Sequence, residues 1–133
     1  MKPDTHPFDP ESVLVFAPGS LTGSRVPCSG RHSVVGKSPL TGIWGEASVG
    51  GSWGSELKAA GLDGLIVVGR AGDPVYLYVR DGAVEFRDAS GCWGKDCYQT
   101  DEALRAETDP SAAVCCIGPA GERMVRIAAI ITD

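Results

Sequence analysis

At 133 residues the chain has the length of one domain, enough to bury a core without disulfide staples. Its apolar content of 43% and charged content of 22% suit a globular protein, and a net charge of −5 argues against general nucleic-acid binding, which needs a basic surface. No run approaches the roughly 18 apolar residues of a membrane span, and the opening "MKPDTHPFDPES" lacks the apolar stretch of a signal peptide.

Residues 1–11 read as a polar, Pro-rich lead-in and 12–133 as a single domain. "SVLVFAPG" (12–19) is a strand stopped by Pro-Gly, and "RHSVVGKS" (31–38) a second strand. "SPLTG" and "SVGG" read as turns. "SWGSELKAAG" (52–61) predicts a helix, with Ser52 or Ser55 as N-cap and Gly61 as its stop. "LDGLIVVGR" (62–70) is a buried-type strand. In 72–89, two alternating runs flank Asp81-Gly82, a strong hairpin signal. Residues 98–111 form an amphipathic helix, with Thr100 as the expected N-cap. The apolar runs 112–122 and 123–133 read as two further strands.

The strands come in runs rather than in strict alternation with helices, which predicts an α+β fold. The phrases "FAPGSLTG" (16–23) and "IGPAGERM" (117–124) echo each other and raise the expectation of two related halves. The sequence stops at Asp133 directly after an apolar strand, from which a longer native polypeptide is expected.

Five cysteines, an odd number, fit reduced thiols in a cytosol rather than a disulfide framework. Cys115 and Cys116 lie in the apolar "AAVCCIG" and read as buried hydrophobes. Cys92 and Cys97 form a C-x4-C without a second pair at metal-site spacing. Cys28 lies in a glycine-rich stretch, as a spectator or as a thiol activated by backbone N–H groups.

That stretch, 21–61, carries Arg25, Arg31, Lys37 and Lys58 against Glu46 and Glu56, a basic island in an acidic chain. Glycine lets backbone approach a ligand, Arg31 offers a planar fork for a phosphate, and Gly50, Gly51 and Gly54 precede a helix start. No P-loop, dinucleotide fingerprint or nucleophile elbow is present. The residues alone leave two readings open, tight turns or an anion and cofactor site.

The ordered phrases "GSLTGSRVPCSGRHSVVGKSPLTG", "VGGSWGSELKAAGLDGLIVVGRAGDPVYLYV", "VEFRDASGCWGKDCYQT" and "IGPAGERMVRIAAIITD" closely resemble the N-terminal domain of the aldehyde ferredoxin oxidoreductase family, from about Val13 to Asp133. The resemblance implies two mainly antiparallel sheets with about two helices, related by an internal pseudo-twofold. It implies a base for a tungsten (or molybdenum) bis-pterin cofactor whose phosphates are bridged by magnesium. Arg31, Ser48 and Gly50 would touch one pterin, with Ala47, Val49 and Gly51 as neighbours, and the Ser48 carbonyl would contribute to the magnesium site. The family often has Asn where this chain has Ser48, which a carbonyl ligand tolerates. Trp44 and Trp53 would be core or platform residues.

The family's [4Fe–4S] cysteines, second pterin loop and candidate catalytic residues lie in later domains, so the resemblance assigns no catalytic residue to these 133 residues. It implies a cytoplasmic oxidoreductase that turns aldehyde and water into carboxylate and passes electrons to ferredoxin. Its partners would be C-terminal domains or a completing subunit, with a homo-oligomer expected if apolar sheet surface stays bare. Two alternatives share the pattern: the tungsten subunit of an aromatic thioester reductase, and a non-catalytic interaction module that keeps the fold.

Overall fold

A computed structural model describes residue 2 and residues 4–133; Met1 and Pro3 of the polar lead-in lie outside the described residues. The fold is α+β, with every strand pair antiparallel. Its main sheet contains β1 (Val13–Pro18), β2 (His32–Lys37), β3 (Trp44–Val49) and β4 (Leu65–Val68), in the order β3-β2-β1-β4. Helix α1 (Trp53–Ala59) follows β3. Two smaller ladders pair β5 (Val75–Arg80) with β6 (Ala83–Asp88), and β7 (Cys115–Ile117) with β8 (Ile130–Thr132). Between them lie α2 (Cys97–Glu107) and the four-residue α3 (Pro119–Glu122). The strands thus divide into three ladders, where two sheets were expected.

Alternation sorts the main sheet into two faces. Phe16, Val34 and Leu65 lie in one row and Pro18, His32 and Val49 in the next, so these residues share a face. Helix α1 packs there: the Trp53 ring stands 5.2 Å from Phe16 and 5.1 Å from His32. Phe16 and Leu57 are buried beneath it. Burial of a side chain such as Leu57 is worth about 1.5–3 kcal/mol. The opposite face carries Val13, Val15, Ser33, Val35, Trp44, Glu46, Ser48, Ile66 and Val68. It stays open: Trp44, Ile66 and Val68 are exposed. Trp44 is therefore a surface residue, whereas Trp53 is half-buried against Phe16 and His32.

Helix α1 ends as its glycine predicts. Gly61, at φ +91°, donates to the Lys58 carbonyl at 3.0 Å, and Leu62 donates to Leu57 at 3.2 Å, closing a Schellman motif. The hairpin forms around Asp81 and Gly82, at φ +50° and +79°, the pair of left-handed residues that a type I′ turn requires. Gly82 N–H also donates to the Ala60 carbonyl at 2.6 Å, docking the hairpin tip on the end of α1.

Several expectations need correction. Strand β3 was not anticipated; its Gly45, Glu46, Ala47 and Ser48 lack apolar alternation, and its edge position pairs them only with β2. Asp96, not Thr100, caps α2: it accepts from Gln99 N–H at 2.8 Å while Gln99 reaches back to Asp96 N–H, a capping box. Thr100 is buried within the helix. The stretch 112–122 is strand only over Cys115–Ile117 and then turns into α3. Residues 123–129 form turns, with Met124, Val125 and Ile127 exposed, so apolar composition there does not signal a strand. The two echoing phrases each follow a strand with a tight turn, Thr22 N–H to Gly19 and Gly121 N–H to Gly118.

Candidate functional site

The end of β2 nearest Arg31 meets the end of β3 at Ser48. Ser48 pairs with Ser33, and Arg31 extends β2 by one residue beyond His32, so alternation puts Arg31 and Ser48 on the open face. Arg31 Nε donates to Ser48 Oγ at 2.9 Å and an Nη donates to the Ser48 carbonyl at 2.7 Å. A guanidinium has five donors, so its remaining N–H groups stay available on an exposed side chain. The buried Thr22 hydroxyl fixes the backbone behind it by donating to the Arg31 carbonyl at 2.9 Å.

Glycines bring two loops together here. A side-chain carbon at Gly30 would stand 3.4 Å from the Gly51 carbonyl, and one at Gly50 3.5 Å from an Arg31 Nη. Gly51 itself sits at φ +84°. Of the predicted contacts, the structure brings Arg31, Ser48, Gly50 and Gly51 together. Ala47 and Val49 share β3 with Ser48 but lie on the opposite sheet face, where Ala47 is exposed and Val49 half-buried. Among the other cations of the stretch, Lys37 donates to the Thr5 carbonyl at 2.8 Å and Lys58 pairs with Asp63. Arg31 is the cation hydrogen-bonded to Ser48. Glu46 shares the open face and accepts from Ser33 Oγ at 3.1 Å.

The start of α1, expected as an anion site, already holds a carboxylate. Asp133 accepts from Ser52 N–H at 2.8 Å, Ser52 Oγ at 2.6 Å and Trp53 N–H at 3.1 Å. Burial pushes its carboxyl up, but the hydrogen bonds from Ser52 and Trp53 outweigh this and hold it below the usual carboxylate range. Ser52 occupies the N-cap position without capping the helix through its own side chain. The sequence offered no local signal for Asp133, because its partners are 80 and 81 residues away.

Directly beneath the site, His32 is only 1% exposed and neither ring nitrogen has a hydrogen-bond partner. Burial lowers its pKa, which the nearby Asp133 charge partly offsets, so the ring is held neutral. The cysteines do not join this arrangement. Burial pushes both the Cys115 and the Cys116 thiols up to about 12, the character of inert buried thiols. Cys28 is exposed at φ +63°. Among the described residues no three His, Cys, Asp or Glu side chains gather to hold a metal, and no helix is long and apolar enough to cross a membrane.

A pterin-dithiolene cofactor brings its own sulfur ligands, so the protein need supply only donors, close backbone and a flat floor. Arg31's spare donors, the Gly30–Gly51 approach and the open sheet face fit that demand.

Comparison with known proteins identifies the family of the chain. The family described as "Aldehyde ferredoxin oxidoreductase, N-terminal domain" matches residues 1–133. The tungsten-containing aldehyde ferredoxin oxidoreductase of Pyrococcus abyssi (strain GE5 / Orsay) is 49% identical over all of this chain and 22% of its own length. That of Pyrococcus horikoshii is 48% identical with the same coverage. A chain in the solved active-site complex BamBC of benzoyl coenzyme A reductase, with 1,5-dienoyl-CoA, superposes at a TM-score of 0.95 with 40% identity, over 98% of this chain and 20% of that one. The chain therefore spans about a fifth of the length of these relatives.

Proposed function

Because the chain belongs to the aldehyde ferredoxin oxidoreductase family, as its N-terminal domain, we propose that residues 12–133 form the floor on which a tungsten-bis-pterin cofactor sits. The observation that carries this reading is Arg31, anchored through Ser48 on the open face with donors to spare beside close-packed glycines. Arg31 would pair with an anionic or carbonyl oxygen of one pterin. Gly50 and Gly51 would let backbone approach it, while Ala47 and Val49 shape the strand behind. A bound tungsten cofactor would supply two-electron redox chemistry, and this chain would contribute binding, orientation and electrostatics through Arg31, Gly50 and Gly51.

The same proposal gives the Ser48 carbonyl to a magnesium ion. That oxygen already accepts from Arg31, so the ion and the guanidinium would compete for it. A [4Fe–4S] cluster, ferredoxin as electron acceptor, a cytoplasmic location and oxidation of an aldehyde to a carboxylate complete the proposal, with the cluster and reacting groups supplied by further domains or a completing subunit. The benzoyl coenzyme A reductase match supports a second reading, reduction of an aromatic thioester on the same platform. No residue of the site described above separates the two.

Removing the Arg31 side chain takes away a charge-assisted hydrogen bond. Arg31→Ala is expected to weaken cofactor retention at least about tenfold, read as tungsten per purified holoprotein, with Arg31→Lys intermediate. Full tungsten content in Arg31→Ala would remove the assignment.

A further inference from the structure

The loop from β3 into α1 is gripped at both ends by charged side chains. Arg31 holds its start at Ser48. Asp133, beyond β8 in a different sheet, holds its end at Ser52 and Trp53 through three hydrogen bonds. Gly51 lies between them, and it fits only because it lacks a side chain. A carbon there would fall 2.1 Å from Asp133 Oδ2 and 3.0 Å from its Cγ. Asp133 reaches in from a left-handed backbone, φ +57°, which Asp tolerates better than most residues. The Asp133 charge is also felt by His32 and Cys115, and Arg105 is the cation that acts on it.

We propose that Asp133 is a positioning residue: its carboxylate fixes Gly51, Ser52 and Trp53, and so sets where Gly50, Ser48 and Arg31 are presented on the open face. This rests on the reading of that face as the cofactor floor. Two backbone N–H bonds to one carboxylate oxygen give the loop a defined conformation before any ligand arrives. An anion held from within also occupies the α1 amides, so a pterin phosphate would be directed to Arg31 rather than to the helix start.

The test compares wild type, Asp133→Ala and Asp133→Asn. Hydrogen exchange reads the loop, and tungsten per holoprotein reads its consequence. The Ser52 and Trp53 amides should exchange at least about tenfold faster in Asp133→Ala, with Asp133→Asn between, because it keeps an acceptor oxygen but not the charge. Amides of the β5–β6 hairpin should not change, and tungsten should fall in the same order. Unchanged loop exchange would overturn the clasp. Tungsten kept in Asp133→Ala but lost in Arg31→Ala would overturn the positioning role alone. Tungsten kept in both would overturn the cofactor reading beneath it. If Asp133→Ala does not fold, wild type decides: the Ser52 and Trp53 amide resonances should follow a carboxyl that titrates below the ordinary aspartate range, and a flat response there overturns the proposal.

Discussion

The β5–β6 hairpin and the loop from β3 into α1 both turn on residues in the left-handed region, yet they are held in opposite ways. The hairpin is local. Asp81 and Gly82 set its turn, and its register follows from Arg80 opposite Ala83. A side chain added at Gly82 would meet nothing within 4 Å. The loop from β3 into α1 is non-local. Arg31 reaches it across 17 residues and Asp133 across 80 or more, and the space at Gly51 is already taken. Local turn chemistry sets the hairpin's turn and register, although its tip also docks on the end of α1 through Gly82. The loop from β3 into α1 is assembled by side chains that only the finished fold brings near.

The sharpest way to break the contrast is to add one methyl group to each turn. Gly51→Ala meets two penalties, a left-handed conformation costing about 1–2 kcal/mol and displacement of the Asp133 carboxylate, with its hydrogen bonds. Stability should drop by more than about 2 kcal/mol in denaturant unfolding, and loop amides should lose protection. A drop no larger than that of Gly82→Ala would mean that Asp133 does not fill the site in solution.

A middle-sized effect comes from pH. Burial depresses the pKa of His32 in the folded chain, so the unfolded chain binds its proton first as pH falls. His32 therefore contributes full stability above its unfolded value of about 6.5 and loses it as pH falls through the lower folded value. His32→Leu should flatten this part of the unfolding profile. Asp133 acts at lower pH, since its lowered carboxyl pKa gives stability above the ordinary carboxylate range that is lost on further acidification. Equal slopes in wild type and His32→Leu near pH 6 would contradict the buried, neutral ring.

The smallest effect is expected at the hairpin. Gly82→Ala carries left-handed strain without a clash, about 1 kcal/mol, and should leave loop exchange and tungsten content untouched.

The same division explains what could be read in advance. The Asp81-Gly82 hairpin, the Gly61 helix stop and the strands at 13–18 and 65–68 were legible because each is signalled by neighbours in sequence. Strand β3 was not, since Gly45, Ala47 and Ser48 pack on a partner strand rather than form a hydrophobic pattern. Residues 123–129 misled in the other direction, as their apolar side chains stay exposed in turns. In the site, the glycines and Arg31 could be singled out as chemistry, and the structure adds how Arg31 is anchored at Ser48. Asp133 could not, because nothing near it in sequence indicates the amides it binds.

The most direct measurement is tungsten per chain in purified Arg31→Ala and Gly82→Ala holoprotein, side by side with wild type. The account predicts loss of tungsten in Arg31→Ala and full content in Gly82→Ala. Full content in both would contradict the claim that the Arg31 face is the cofactor floor.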